Sequence, residues 1–272
     1  MTQRLFGFLL AALLSNSVLA LDSPPPPDPN RSDNETRDIQ VYDALVGSNP
    51  DQDFSLYRLN YAIANDEDLL LQYSFKYRVL GELYLAYTNL VLWDIYHAEQ
   101  PAIDNNFMPE LFYRFLIYKP WLTSVDAGWF HRSNGREGPT SRAWDRWQVR
   151  FNTDFKWRHM DVIWQTAFNS DIKKSSKNKD INDYYGPWES GLTFRNLLGN
   201  HQNQLDLLVG LVAGEDGYRF NTGQKTVGLH YRMRWAKFKP TLYLRYFNGY
   251  GEVIQNYNIK TESLRFGLSF HY

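Results

Sequence analysis

The chain has 272 residues, no cysteine, and 29 Lys plus Arg set against 30 Asp plus Glu. That length can bury a sizeable core, the absence of cysteine excludes a disulfide framework, thiol catalysis and zinc–thiolate sites, and a formal net charge of −1 argues against a nucleic-acid partner. A polar mean hydropathy excludes a polytopic helical membrane protein, yet 19 Tyr, 17 Phe and 9 Trp are present, a combination that suits strands with one apolar and one polar face and girdles of aromatic residues.

Taken in chain order, the first element reads as an export signal. Arg4 supplies a positive n-region, Leu5 to Leu14 an apolar run too short to span a bilayer, and Val18-Leu19-Ala20 the small residues that precede a cleavage site. Cleavage is expected after Ala20, giving a signal peptide over 1–20; a buried N-terminal helix is the other reading, which the secretory pattern fits better. Residues 21–53 follow as a periplasmic segment in which Pro24 to Pro27 and Pro29 stand among Ser, Asp and Asn, the composition of an extended, solvated tether. No later run approaches the length of an apolar transmembrane helix.

From residue 54 to residue 272 the period is two. Leu71, Tyr73, Phe75, Tyr77 and Val79 alternate with Gln72, Ser74, Lys76 and Arg78. Val227, Leu229, Tyr231, Met233 and Trp235 alternate with Gly228, His230, Arg232 and Arg234. Such alternation gives one apolar and one polar face, which a soluble sandwich would turn inward and a membrane barrel outward. Three features favour the barrel: strands about ten residues long against the usual five or six, Arg and Lys on the inferred inner faces, and a final strand Leu264, Phe266, Leu268, Phe270, Tyr272 closed by an aromatic residue. That ending resembles the signal by which bacterial outer-membrane barrels are recognised for assembly.

The pattern predicts an all-β, 12-stranded antiparallel transmembrane β-barrel in the bacterial outer membrane. Its strands are expected at 54–64, 69–79, 82–93, 109–117, 123–132, 143–153, 160–169, 186–195, 203–212, 226–235, 241–247 and 264–272. Short turns alternate with long loops at 94–108, 133–142, 170–185, 213–225 and 248–263, the short ones expected on the periplasmic side. The short link Asn65 to Asp68 breaks this rule.

One loop carries chemistry. His131 and Ser133 share a face with Val125, Ala127 and Trp129 at a strand end, and Asp145 shares its face with Trp147, Val149 and Phe151. All three are therefore expected outside the barrel, near the headgroups. A serine needs a base to become nucleophilic, and the base needs a partner that fixes its tautomer. An ordinary surface His–Ser pair remains the alternative on spacing alone.

The run His131-Arg132-Ser133-Asn134-Gly135, followed by Pro139-Thr140-Ser141-Arg142-Ala143-Trp144-Asp145-Arg146, resembles the outer-membrane phospholipase A family, whose signature is His-x-Ser-Asn-Gly and then Ser-Arg-Ser-Trp-Asn-Arg. Tyr87-Thr88-Asn89, Asn106-Phe107-Met108-Pro109-Glu110-Leu111-Phe112, Gly249-Tyr250-Gly251-Glu252 and Tyr257-Asn258 extend the resemblance over residues 54–272. It implies calcium-dependent hydrolysis of phospholipid and lysophospholipid acyl esters, activated by dimerisation, with the active site toward the cell-surface leaflet. It also implies Ser133 as nucleophile, His131 as general base and the Gly135 N–H as oxyanion donor. Calcium (Ca2+) would be held by the Ser141 side chain and the Arg136 carbonyl, with a carbonyl near Glu99 of the partner chain completing the site.

Asp145 stands where the family has Asn; it can still accept from the imidazole, and calcium or Arg146 would offset its charge. Lys177 stands where an acidic residue accompanies a second calcium position, so that second site is not expected. Asn89 matches the family's polar residue at the dimer interface, with a lumen-facing polar role as the alternative. A passive pore or structural barrel, and a soluble periplasmic lipid-binding β protein, are the rival readings.

Overall fold

A computed structural model describes residues 53–96, 101–119, 121–199, 203–233 and 241–270. The expected signal peptide, nearly all of the Pro-rich segment, Glu99 and the terminal Tyr272 lie outside the described residues. The period-two segments form β1 (Phe54–Leu56), β2 (Asn60–Ala64), β3 (Leu69–Leu80), β4 (Leu83–Trp93), β5 (Ala102–Lys119), β6 (Leu122–Ser133) and β7 (Ala143–Trp157). They continue with β8 (Met160–Lys174), β9 (Trp188–Arg195), β10 (Asn203–Val212), β11 (Gln224–Met233), β12 (Thr241–Tyr250) and β13 (Lys260–Phe270).

From β2 to β13 every strand pairs antiparallel with its neighbour in sequence, and β13 returns to β2 through Phe266↔Ala64 to Phe270↔Asn60. The sheet therefore closes on itself and leaves no edge, as a sheet must in lipid. β1 and β2 both pair with β3 but in different registers, Phe54↔Tyr77 and Tyr61↔Gln72, so they are two halves of one interrupted stave and the barrel has twelve. At the interruption Tyr57 and Arg58 leave the ladder for the lumen. There Tyr57 Oη donates to Glu110 Oε2 at 2.9 Å and Arg58 Nη2 to Glu110 Oε1 at 2.6 Å.

Alternation sorts the faces as the sequence implied. On β13, Leu264, Phe266 and Leu268 are 57%, 55% and 41% exposed, while Ser263, Arg265 and Ser269 are 7% or less. The polar face thus points into the lumen, where ion pairs hold much of it. Arg114 makes a bidentate pair with Asp126 at 2.7 and 2.9 Å, and Arg265 bridges Asp68 at 2.6 Å and Glu252 at 2.9 Å. The second of these ties the short Asn65–Asp68 link to the last strand across the closure.

Several strands run further than predicted. β5 begins at Ala102 instead of 109, β13 at Lys260 instead of 264, and β7 and β8 continue to Trp157 and Lys174. The head of β5 reads as a loop because Asp104, Asn105 and Asn106 are consecutive polar residues. In the fold they find partners on both faces: Asn106 Nδ2 donates to Asp104 Oδ2 at 2.7 Å inside, and Asn105 Oδ1 accepts from Asn89 Nδ2 at 2.7 Å outside. Polar satisfaction here overrides low strand propensity.

Candidate active site on the outer wall

β6 alternates strictly toward its upper end. Phe130 and Arg132 are buried in the lumen, and Trp129, His131 and Ser133 face outward. The register with β7 sets His131 opposite Asp145 and Ser133 opposite Ala143. His131 Nδ1 lies 2.8 Å from Asp145 Oδ1, with both side chains about a quarter exposed. The same Oδ1 accepts from Trp129 Nε1 at 3.1 Å, and the Trp129 ring stacks beside the imidazole with centroids 5.8 Å apart. The carboxylate and indole together fix the ring and leave its Nε2 edge for a proton transfer. No hydrogen bond joins Ser133 to the ring in this conformation; the two share one face two residues apart.

The loop after Ser133 is held by Asn134, which is buried. Its Nδ2 donates to Thr140 O at 2.9 Å and its Oδ1 accepts from the N–H of Arg142 at 3.0 Å. This staple folds residues 135–141 into a tight excursion containing a single 3-10 turn, Gly138–Thr140. Gly135 has φ +63°, and an added Cβ would meet the Phe107 ring at 3.0 Å, so both conformation and space call for glycine there. Arg136 reaches the other way, its Nη2 donating to Ile103 O at 2.6 Å. The Arg136 carbonyl and the Ser141 hydroxyl thus belong to one small loop beside Ser133.

The lumen side of the same strand ends supports the site. Arg132 lies between His131 and Ser133 in sequence and on the opposite face in space. Its Nε and Nη2 donate to Asn106 Oδ1 at 3.0 and 2.6 Å, its Nη2 also to Glu252 O at 3.1 Å, and its Nη1 to Tyr185 Oη. Behind β7, Trp144 is fully buried with Ile181, Tyr185, Ile254 and Tyr257, and its Nε1 donates to Asp171 Oδ1 at 2.8 Å. Within this cluster the Tyr257 hydroxyl donates to Asp180; burial and that carboxylate push its titration above the usual phenol range. Asn178, fully buried, braces the first residue of β7 through the Ala143 N–H and C=O at 3.3 and 3.1 Å.

The structure therefore brings His131, Asp145 and Ser133 onto one outward patch, with Gly135, Arg136 and Ser141 in the loop above. Glu99 lies outside the described residues. Asn89 is on the outward face with Tyr87, covered by Asn105, which resolves the alternative of a lumen position. Arg146 departs from the reading of the sequence. It points into the lumen, with its guanidinium 4.1 Å from the Phe130 centroid and 4.3 Å from that of Trp144, so it offsets no charge on Asp145. Sequence reasoning set Trp129 on the face of His131 by parity but gave it no role in the site, and it gave none to Arg132, Asn134 or Asn178. Arg132 and Asn178 act through contacts with segments distant in sequence.

A closed barrel of bilayer-spanning strands with a histidine–carboxylate pair and a serine on its outer wall defines a membrane β-barrel. The chain belongs to the phospholipase A1 family, whose model matches residues 45–270. A putative phospholipase A1 of Neisseria meningitidis is 30% identical over 224 residues, covering 74% of this chain and 54% of that protein. Phospholipase A1 of Escherichia coli is 28% identical over 192 residues, covering 67% of this chain and 60% of the relative. The chain thus spans little more than half the length of these relatives. Among solved structures, outer membrane phospholipase A from Escherichia coli superposes with a TM-score of 0.63 at 23% identity, over 80% of this chain and 94% of that one. The Salmonella typhi outer membrane phospholipase dimer with bound calcium gives 0.62 at 22%, over 82% and 94%.

Proposed function

We infer that this protein resides in the bacterial outer membrane and hydrolyses acyl esters of phospholipids, with Ser133 as nucleophile, His131 as general base and Asp145 as the group that orients it. The observation that carries this reading is the 2.8 Å contact between His131 Nδ1 and Asp145 Oδ1 on the lipid-facing wall. Polar groups facing lipid are costly to place, and a structural barrel has no use for them there.

An acyl chain would lie along the exposed apolar wall formed by residues such as Leu111 and Trp147, bringing its ester to Ser133. His131 Nε2 takes the serine proton as Oγ attacks the carbonyl, and gives it to the leaving alcohol. Water then attacks the acyl-serine with the same base. The Gly135 N–H makes no hydrogen bond to a backbone carbonyl among the described residues and is the candidate donor to the oxyanion.

Calcium fits the donor chemistry of the adjacent loop. The Ser141 hydroxyl and Arg136 carbonyl are hard oxygen donors of the kind this ion takes, and no cluster of three acidic or histidine side chains competes for it among the described residues. When bound, the ion would add positive field where negative charge develops on the ester oxygen. Two chains would pair through the wall carrying Asn89, the partner contributing near Glu99. The pore reading is less well supported, because the Arg114–Asp126 and Arg265–Glu252 pairs occupy the lumen. A cavity of about 400 Å³ lies beside Arg114.

The test is release of fatty acid from a defined phospholipid in mixed micelles, with calcium and with a chelator. Release that depends on calcium is expected. Equal release in both conditions would remove the metal from the account, and no release in either would remove the hydrolase.

A further inference from the structure

The ladder between β7 and β8 changes register once, and the change falls beside Asp145. Trp147 pairs with Ser170 and Arg146 with Asp171, so an unbroken ladder would set Ile172 opposite Asp145. Instead Ile172 is the extra residue and Lys173 stands opposite Asp145. A bulge sets two residues of one strand against one of its partner and re-aims the side chains around it. Here it exchanges an isoleucine for a lysine at the position facing the candidate catalytic carboxylate.

The two adjacent lysines then part. Lys174 pairs opposite lumen-facing Trp144, and its Nζ lies 2.9 Å from Asp171 Oδ2. Lys173 is exposed on the outer wall. Directly opposed residues of an antiparallel pair have Cβ atoms about 4.5–5.5 Å apart. Even so, no ion pair joins Lys173 to Asp145, whose carboxylate is held by His131 and Trp129. The ammonium is thus available on the outer wall two strands from Ser133, with exposed Ile172 and Trp147 as apolar neighbours along which its stem can lie.

We propose that Lys173 binds the phosphodiester of the glycerophospholipid whose acyl ester is presented to Ser133, and so selects phospholipids over uncharged acyl esters. The proposal rests on the hydrolytic reading above. A lysine is suited to this as a flexible point charge that tracks a mobile headgroup. It also stands on the outward face, where the headgroup of a lipid lying on the wall would be.

The test compares wild type with Lys173→Gln on two substrates in the same neutral-detergent micelles: a glycerophospholipid and an uncharged monoacyl ester. With one surface ion pair lost, kcat/KM for the phospholipid should fall about two- to fivefold, mostly through KM, while the uncharged ester is unaffected. Lys173→Arg should restore the preference. Equal losses on both substrates, chiefly in kcat, would mean that Lys173 acts through Asp145 and would overturn the proposal, as would no change on either. An inactive wild type would defeat the hydrolytic reading itself, whereas an active wild type matched by the variant would defeat only the role of Lys173. Heat-modifiable migration in gels checks that the variant barrel is folded.

Discussion

Replacing Ser133 with alanine is expected to reduce calcium-dependent fatty-acid release by about 10⁴-fold or more, the scale seen when a nucleophile is removed from a triad. The barrel should survive. Ser133 is at the end of β6, packs in no core cluster, and contributes to the ladder through its backbone opposite Ala143 and Phe107. Heat-modifiable migration should therefore match wild type. The measurement is initial rate on a defined phospholipid at saturating calcium. Activity within tenfold of wild type would strip Ser133 of its role and leave the His131–Asp145 contact as a surface pair.

The second large effect is expected at a residue that never touches substrate. Arg132 joins the tip of β6 to β5 through Asn106 and to the last long loop through the Glu252 carbonyl, and it meets Tyr185 from the cluster behind β7. His131 and Ser133 flank it on the other face, so the lumen network sets where the outer pair stands. Arg132→Met removes every one of these bonds while keeping much of the volume. Displacing reacting groups by about 1 Å costs on the order of 10²-fold, and a loss of that size is expected. It should appear in kcat with KM unchanged, and equally on phospholipid and uncharged ester, unlike the selective effect at Lys173. Arg132→Lys should recover only part of the rate, because an ammonium cannot reproduce the guanidinium fork. A variant with full kcat and raised KM would contradict this positioning role.

Much of the architecture was legible because membrane barrels advertise themselves by parity. The alternation in β3 and β11 gave both faces correctly, with Ser74, Lys76 and His230 buried inside. The motif from His131 to Asp145 also carried its own geometry, since period two and one short loop suffice to bring its ends together. What parity cannot carry is register. Residues 171–174 alternate acceptably in either phase, and only the ladder with β7 decides that Ile172 bulges and Lys173 faces Asp145. Nor can local pattern find partners far away in sequence. Asp104 to Asn106 read as loop until residues 254 and 255 donate their backbone N–H groups to them, at 2.8 and 2.9 Å. The split first stave is a similar case, for Tyr57 and Arg58 leave the ladder to meet Glu110 on a strand distant in sequence.

In the proposed function an apolar outer wall presents an activated serine to lipid. Mass-spectrometric mapping after treatment with a long-chain alkyl fluorophosphonate delivered in micelles tests it most directly. One adduct is expected, on Ser133, and it should fail to form in His131→Ala. An adduct on another serine, or an unmodified Ser133 in protein that still releases fatty acid, would contradict it.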